Sequence, residues 1–412
     1  MMLKARIISL LAAVFFAFPA GVLSSPDSQL LLTTFSDGYA GNNFQPAEPQ
    51  EKPIPGVPPP APEPQEPAVS GDFSFAPPYS FGGLNELTVK LLDAARTSID
   101  VSIYSVTMQD TVQALVRARD RGVKVRLIID ESHVYPKMDG QIKGLIDGGG
   151  IDIRTLRGTG TWGVNHNKIV VLDRSAVTTG SYNWTFGATF SNCENMLVAR
   201  QPVYVAGYAA YFEWMWSRAR SLKDGPMPQL EQGYYGPPPQ DPGSIAVLNG
   251  VSVPAFLFSP GSKTEDRLAS LIDAAKVSLD AVTFTFSSQA LVDAVLRAHQ
   301  RGLKVRFMMD INMARDSGFA RQLADAGVPF RWRGGLTEKG AMHSKYAVLD
   351  GQILATGSFN WTSNASVNSF ENLLFTGEGG VIKAYQSDYD LLYSGASVVL
   401  PGDIRPAAAS GG

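Results

Sequence analysis

The most constraining feature of this chain is that it contains the same pattern twice. LLDAARTSIDVSIYSV at 91–106 matches LIDAAKVSLDAVTFTF at 271–286, and VRARDRGVKVRLIID at 116–130 matches LRAHQRGLKVRFMMD at 296–310. Both pairs lie 180 positions apart, and the offset falls to 177 farther along the chain. Self-similarity of this length indicates two copies of one structural unit. The chain has 412 residues, more than one core usually holds, which also favours two folded units.

Helix and strand patterns alternate within each copy. Apolar residues at helical spacing, such as Val112, Leu115 and Val116, predict amphipathic helices. KVRLIID and KVRFMMD are short and almost continuously apolar, which suits strands that are covered on both faces. The alternation predicts an α/β fold made of two tandem units, each a β-sheet flanked by helices, packed pseudo-symmetrically.

Composition sets the predicted boundaries. MMLKAR, an apolar stretch and small residues follow one another at the start of the chain, which predicts a signal peptide and a secreted or periplasmic protein. Residues 46–67 hold ten prolines in 22 positions and should form an extended spacer. The predicted segments are a signal peptide at 1–24, a Pro-rich linker at 25–72, the first unit at 73–222, a linker at 223–248, the second unit at 249–400 and a tail at 401–412.

One polar motif occurs in both HNKIVVLDRSAVTTGSYNWT (166–185) and HSKYAVLDGQILATGSFNWT (343–362), while the apolar residues around it differ between the two copies. In each copy a His is followed by a Lys, an Asp and a Gly-Ser-x-Asn turn, and a Glu comes eleven residues after the Asn. Strand alternation puts the His and the Lys on one side of the chain. The candidate site residues are His166, Lys168, Ser181, Asn183 and Glu194, and their counterparts His343, Lys345, Ser358, Asn360 and Glu371.

Two such sets that face each other suit a phosphodiester. The lysines, serines and asparagines would neutralise and bind the phosphoryl oxygens, and two imidazoles would supply a nucleophile and a general acid. A single His-x-Lys would more often be structural, but two copies that keep the same polar spacing argue against that interpretation. Asp173 and Asp350 stand at strand ends, where a structural ion pair or turn bond is expected rather than proton transfer.

Other residues are assigned to structure. His133 and His299 have no match in the other copy and are interpreted as surface residues. Cys193 is the only cysteine, so no internal disulfide can form, and it is expected to be buried and inert. Trp214 and Trp216 are expected to pack in the core or between the units.

The doubled motif, His-x-Lys, four residues, Asp, six residues and Gly-Ser-x-Asn, resembles the signature of the phospholipase D superfamily. FSPGS at 258–262 and the Glu-Asn pairs at 194–195 and 371–372 are similar to the bacterial endonuclease branch and the Zucchini-type phosphodiesterases, whose site forms between two identical subunits. The first unit departs from that branch at FAPPYSFGG, where extra residues replace the compact turn.

The resemblance implies two phospholipase D-like units that share one active site, so that a monomer would replace the dimer. It implies metal-free chemistry through a phosphohistidine, without a cofactor, and orientation of the imidazoles by Glu194 and Glu371. It also implies His166 as the nucleophile and His343 as the acid, although the sequence alone allows the reverse. Because no His, Cys, Asp or Glu cluster with ligand spacing is evident, no metal is expected.

Three substrates remain open: a phospholipid head group, DNA or RNA, and an alcohol acceptor in a phosphatidyl transfer. Arg331 and Arg333, with Trp332 between them and Trp162 four residues before His166, could hold a single strand, or the arginines could be structural and Trp332 could pack inward. A net charge of −3 without a basic run favours a lipid, with transient contact to a membrane surface. A lipid phosphodiesterase is therefore preferred and a metal-independent nuclease is the alternative. Transfer is less favoured because GSYNWT lacks the charged residues after Asn that are associated with such transferases. A non-catalytic binding module is less favoured because neither motif is eroded.

Overall fold

The computed structural model describes residues 73–76 and 83–405, with the backbone alone for 73–76. The predicted signal peptide, the whole of the predicted Pro-rich linker and the end of the tail lie outside the described residues. Among the described residues, no helix combines the length and the apolar character needed to cross a bilayer.

The first half of the chain forms a mixed eight-stranded sheet in the order β1-β7-β6-β5-β2-β3-β4-β8. Its strands are β1 (Phe73–Ala76), β2 (Ser98–Ile103), β3 (Lys124–Asp130), β4 (Asp152–Leu156), β5 (Lys168–Leu172), β6 (Ala176–Gly180), β7 (Met196–Ala199) and β8 (Arg220–Ser221). Its helices are α1 (Gly83–Ala94), α2 (Gln109–Asp120), α3 (Gly140–Gly148), α4 (Phe186–Phe190) and α5 (Pro202–Trp216). Strands β2, β3 and β4 are parallel and the other neighbours are antiparallel.

A short hairpin of β9 (Ala246–Leu248) and β10 (Val251–Val253) precedes the second half, which repeats the arrangement. The second half comprises β11 (Phe256–Ser259), α6 (Thr264–Ala274), β12 (Ser278–Thr283), β13 (Phe286–Ser287), α7 (Gln289–Gln300), β14 (Lys304–Asp310), α8 (Ile311–Ala314), α9 (Gly318–Asp325), β15 (Phe330–Arg333), β16 (Tyr346–Leu349), β17 (Ile353–Gly357), β18 (Trp361–Thr362), α10 (Ser363–Val367), β19 (Glu371–Thr376), α11 (Gly379–Ser394) and β20 (Ser397–Val398).

The second sheet has the order β11-β19-β17-β16-β12-β14-β15-β20, which matches the first sheet strand for strand. Its register is conserved as well: Asp100 on β2 lies opposite Arg126 on β3, and Asp280 on β12 lies opposite Arg306 on β14. The prediction of two tandem α/β units is confirmed, and the equal topologies show that the sequence repeat is a repeat of the whole fold.

Alternation along the strands explains how each sheet is covered on both faces. On β5, Ile169 and Val171 face a central apolar cluster, whereas Val170 and Leu172 face the outer helices of the first half. The central cluster takes residues from the inner faces of both sheets and from α5 and α11, so the two halves share one core. Trp216 is buried in this cluster and Trp214 packs against it, as expected.

Apart from Glu213, helix α5 is apolar around its circumference, because it lies between the two sheets. The ring of Tyr211 stacks on Phe258 of the second half, with ring centroids 4.0 Å apart and an interplanar angle of 3°. A Cβ added to Gly207 would lie 2.1 Å from the Phe256 ring, so only glycine permits this close approach of the helix.

The motif aspartates serve the fold rather than the chemistry, as expected. The Asp173 carboxylate accepts hydrogen bonds from the backbone N–H groups of Arg96, Thr97 and Ser98, at 2.7 to 3.1 Å. Asp350 accepts the equivalent bonds between α6 and β12. These bonds tie the end of a helix to the following strand, beside the strand that carries the motif His and Lys.

Candidate active site

Both motif histidines lie where the two halves meet. The ring centroids of His166 and His343 are 6.4 Å apart and the rings are nearly perpendicular. His166 precedes β5 by two residues and His343 precedes β16 by three, so corresponding ends of the two sheets face each other. A tetrahedral phosphorus has room between two imidazoles at this separation if each uses its Nε2 nitrogen.

Each histidine is held by the glutamate of the opposite half. Nδ1 of His166 lies 3.0 Å from both carboxylate oxygens of Glu371, and Nδ1 of His343 lies 2.9 Å from Glu194. All four side chains are at least 88% buried. The carboxylate accepts a hydrogen bond from Nδ1–H, so the neutral ring has its lone pair on Nε2. That nitrogen is the atom free to act on a substrate.

Backbone pairing explains this crossed arrangement. Asn165, just before His166, bridges to Phe370, just before Glu371, and Cys193 bridges to Met342 in the same way. The N–H of His166 donates to the Phe370 carbonyl and the N–H of His343 donates to the Cys193 carbonyl. The segment before each histidine therefore runs beside the segment before the other half's glutamate. Cys193 is buried, and burial raises the pKa of its thiol to about 12, so it is inert as expected.

The two motif lysines are buried beside the histidines. Lys168 Nζ donates to the His166 carbonyl at 2.6 Å, and Lys345 donates to the His343 carbonyl. Burial lowers the pKa of Lys168 to about 7, against the pull of Glu371 and Glu194. Burial also lowers the pKa of Lys345 well below its usual range, with Glu194 acting against this shift and the charge of Lys168 acting with it. An anion placed between these amines would restore their protons.

At the imidazoles, the effect of burial on the pKa outweighs the opposite effect of the glutamates. Burial lowers the pKa of His166, and it lowers the pKa of His343 to about 4, although the paired glutamate acts in the opposite direction at each. Burial would raise the pKa of Glu194, but His343 and Lys345 lower it overall. The empty site therefore holds His343 as a neutral ring beside an ionised carboxylate.

In the two Gly-Ser-x-Asn turns, the serines and the asparagines differ in their hydrogen-bond partners. Ser181 is fully buried and donates to Glu194 at 2.5 Å, while Ser358 is fully buried and accepts from the N–H of Asn372. Both hydroxyls thus form hydrogen bonds with the segments that carry the glutamates. Asn183 and Asn360 each have a buried Oδ1 without a hydrogen-bond partner among the described residues. The assignment of these serines and asparagines to phosphate binding stays a prediction.

Several positioning residues were not singled out from the sequence. Asp130 and Asp310 end β3 and β14, and their carboxylates accept from the N–H groups of Asn165 and Met342, one residue before each histidine. Both aspartates recur at the 180-residue offset, a signal that was available in the repeat. Asn195 reaches across to Thr356 at 2.8 Å, and Asn372 reaches Asn167 at 2.8 Å, so the residue after each glutamate also ties the halves together.

His133 is not the surface residue that the sequence suggested. Its side chain is 21% exposed, its Nδ1 lies 2.8 Å from Asp139, and its ring meets Tyr104 edge-on with centroids 4.7 Å apart. The Tyr104 ring in turn packs against His166 at 5.2 Å, and Lys168 Nζ lies 5.3 Å from its centroid. His133 and Tyr104 therefore form one wall of the site.

The arginines that could have bound a nucleic acid are engaged in structure. Arg331 donates to the Tyr393 carbonyl at 2.7 Å and lies over the Tyr393 ring, while Arg333 donates to the carbonyls of Gly334 and Leu392. Trp332 packs inward and is 8% exposed. Trp162 alone of this group is exposed, at 66%.

No group of three or more His, Cys, Asp or Glu side chains that could hold a metal ion occurs among the described residues. The described residues place two amines at the site, those of Lys168 and Lys345, which can become positive when an anion binds.

The chain matches a family model described as "Cardiolipin synthase, PLD-like domain" twice, at residues 88–216 and 268–392. It is 40% identical over 128 residues to a mitochondrial cardiolipin hydrolase of Xenopus tropicalis, a match that covers 31% of this chain and 60% of that protein. It is 30% identical over 137 residues to a phospholipase D of Rickettsia conorii, over 32% of this chain and 63% of the relative. The chain thus spans about 60% of the length of these relatives.

The crystal structure of a phosphatidylserine synthase from Haemophilus influenzae superposes with a TM-score of 0.63 at 12% identity, over 81% of this chain and 89% of that chain. At this identity the likeness concerns the fold alone. The two family matches fall on the two sheets and include both motif histidines, lysines and the Glu194 segment, as well as Glu371. The chain belongs to the phospholipase D superfamily.

Proposed function

We propose that this protein is a phosphodiesterase of the phospholipase D type and that it hydrolyses a phospholipid head group through a covalent phosphohistidine. The observation that carries the proposal is the pair of imidazoles 6.4 Å apart, each held through Nδ1 by a buried glutamate and flanked by a buried lysine. One Nε2 attacks phosphorus while the other protonates the leaving oxygen, and the roles of the second ring reverse when water attacks.

The lysines and asparagines would bind the negative phosphate. A diester brings one negative charge into a site whose amines have lowered pKa values, and the protons that return to Lys168 and Lys345 would stabilise the five-coordinate transition state. Asn183 and Asn360 could then donate from Nδ2 to phosphoryl oxygens. Since these groups supply the charge stabilisation, the hydrolysis is expected to survive excess EDTA.

Three observations support a lipid over a nucleic acid. Arg331 and Arg333, which could have held a single strand, are bound to backbone carbonyls. The relatives described above are named a cardiolipin hydrolase and a phospholipase D. A net charge of −3 also provides no strong attraction for a long polyanion.

The test compares substrates side by side. Residues 73–412 would be offered vesicles of cardiolipin or phosphatidylcholine and, separately, single-stranded DNA, each with excess EDTA, and the His166→Asn/His343→Asn double variant would be the matched control. Release of a head group or phosphatidylglycerol by the parent protein alone supports the proposal. Cleavage of DNA with intact lipid would make the protein a nuclease, and loss of all activity in EDTA that an added metal restores would contradict the metal-free site.

A further inference from the structure

The two walls of the active site differ in chemistry although they occupy equivalent positions in the two halves. Tyr104 packs against His166 with ring centroids 5.2 Å apart, and its counterpart 180 residues later, Phe284, packs against His343 at 5.0 Å. His133, which touches Tyr104, has Met313 as its counterpart, and Met313 is 41% exposed. A phenol and an imidazole on one side thus correspond to a phenyl ring and a thioether on the other.

His133 has an unused hydrogen-bonding atom. Its Nδ1–H donates a hydrogen bond to the Asp139 carboxylate. In this tautomer of the neutral ring, Nε2 carries the lone pair and is a hydrogen-bond acceptor. That Nε2 is buried and meets no hydrogen-bond partner among the described residues. A buried acceptor without a partner is destabilising unless a ligand supplies a donor, and a hydroxyl is a donor of the right kind.

The in-line geometry of the displacement determines beside which histidine the leaving alcohol lies. In an in-line displacement the nucleophile and the leaving oxygen are on opposite sides of phosphorus, and the general acid must lie within hydrogen-bonding distance of the leaving oxygen. The leaving alcohol therefore lies beside the histidine that acts as acid. Of these four residues, the two that can hydrogen-bond to the hydroxyls of a head group, Tyr104 and His133, lie on the His166 side.

We propose that Tyr104 and His133, the latter positioned by Asp139, form the subsite for a hydroxyl-bearing leaving alcohol, and that His166 is therefore the general acid and His343 the nucleophile. This inference rests on the proposed function. His343 Nε2 forms a bond to phosphorus, the bond from phosphorus to the alcohol oxygen breaks, and the proton that a His166 imidazolium carries on Nε2 passes to that oxygen. Water then attacks phosphorus and gives a proton to His166, and the bond to His343 breaks.

The neutrality of His343 is consistent with this assignment. Burial lowers the pKa of His343 to about 4, so the ring is unprotonated near neutral pH, the state that a nucleophile needs. The assignment reverses the one implied by family resemblance, which placed the nucleophile at His166. The difference arises from the unequal walls, because the motif residues themselves are equal in the two halves.

The first experiment measures head-group selectivity. Phosphatidylglycerol and phosphatidylpropanol differ only in the hydroxyls of the leaving alcohol, and kcat/KM would be measured for both. The wild-type protein should prefer phosphatidylglycerol, and His133→Met or Tyr104→Phe should lower its kcat/KM by about 10-fold or more while changing phosphatidylpropanol by less than about 3-fold. The matched controls are the reciprocal variants Met313→His and Phe284→Tyr, which should leave the ratio unchanged.

Equal losses on both lipids, or a change of the ratio by the control variants, would overturn the subsite. If the wild-type protein cleaves both lipids without discrimination, the inference fails while the proposed function stands. If it cleaves neither, the proposed function itself fails.

The second experiment locates the covalent intermediate. With a labelled nitrophenyl phosphodiester, whose leaving group needs little protonation, His166→Asn should accumulate phosphate on His343 under rapid acid quench, and His343→Asn should trap none. Label on His166 in the His343→Asn variant would overturn the assignment of the acid. If no label is found on either histidine in the wild-type protein or in either variant, the two-step mechanism is contradicted and the assignment fails with it.

Discussion

At the scale of single residues, burial of the motif lysines makes their protonation depend on whether an anion is bound. Lys168 has a pKa of about 7 in the empty site because burial disfavours its charge, and a bound dianion should raise that pKa. Sulfate does not titrate near neutral pH and can serve as the probe. Near pH ~8 the free amine is mostly neutral and the bound amine charged, so binding takes up a proton; near pH ~6 the free amine is already charged and this uptake disappears.

We expect Lys168→Met to take up about one proton fewer than the wild-type protein when sulfate binds near pH ~8, and the same number near pH ~6. Calorimetric titration in buffers of different ionisation enthalpy measures the number of protons directly. Equal uptake by the two proteins at the higher pH would show that Lys168 is already charged in the empty site.

Two carboxylates of the same motif should respond differently to loss of charge. Glu194 accepts from Nδ1 of His343, and Glu194→Gln can instead donate to that nitrogen, which favours the wrong tautomer of the ring. We expect kcat to fall on the order of 10²–10⁴-fold with little change in the free energy of unfolding. The matched variant Asp173→Asn loses one acceptor oxygen and the negative charge that the backbone N–H groups of Arg96, Thr97 and Ser98 surround, and should lower that free energy by about 1–3 kcal/mol with kcat nearly unchanged.

Activity assays and denaturant titrations of both variants separate these effects. A kcat loss of similar size in Asp173→Asn would mean that the turn before β2 controls the geometry of the site. A Glu194→Gln variant with normal kcat would remove the role of the glutamate in orienting His343.

At the scale of secondary-structure elements, the strands and helices were largely predictable and the contacts between them were not. Runs such as KVRLIID became the buried strands β3 and β14, because nearly continuous apolar sequence suits a strand covered on both faces. The crossing of Glu194 to His343 could not be read from spacing, since it depends on how the segments before β16 and β7 pair. His133 was assigned to the surface for lack of a counterpart, but its environment depends on the turn after β3, which brings it onto Tyr104.

Helix α5 offers a test of how closely the halves approach. In a typical helix Gly→Ala stabilises by about 1 kcal/mol, but at Gly207 the added methyl group would overlap the ring of Phe256. We expect Gly207→Ala to lower the free energy of unfolding by about 1–3 kcal/mol, since a packed aromatic ring cannot move away without disturbing its neighbours. Ala206→Gly, at an exposed position on the same helix, is the matched control and should cost only about 1 kcal/mol.

Denaturant-induced unfolding of the two variants provides the comparison. A stabilised Gly207→Ala protein would show that α5 sits farther from β11 than the structure indicates. Its catalytic constants should change little unless the shift reaches Tyr211, whose hydroxyl donates to the backbone of Ser259 and Glu371.

At the scale of the whole molecule, the crossed pairs make the site a property of two halves rather than of one. A separated first half would hold His166 without Glu371, and a separated second half would hold His343 without Glu194. Each would also expose apolar surface from the central cluster, including Phe258 in the second half and Tyr211 in the first. Chains that expose such a face tend to associate.

We therefore expect residues 73–222 and 249–412, prepared separately, to be inactive as monomers, and their mixture to regain activity as a one-to-one complex. Because Glu371 occupies in the second half the place that Glu194 occupies in the first, two copies of 249–412 could also complete a site, with each Glu371 bonded to the partner's histidine. Size-exclusion chromatography with light scattering, coupled to assays of each peak, distinguishes these species. Activity should appear only in two-chain peaks and should fall on dilution with the dissociation of the complex. A monomeric peak of 249–412 with full activity would contradict the shared site, since one half alone would then supply the nucleophile, the acid and both carboxylates.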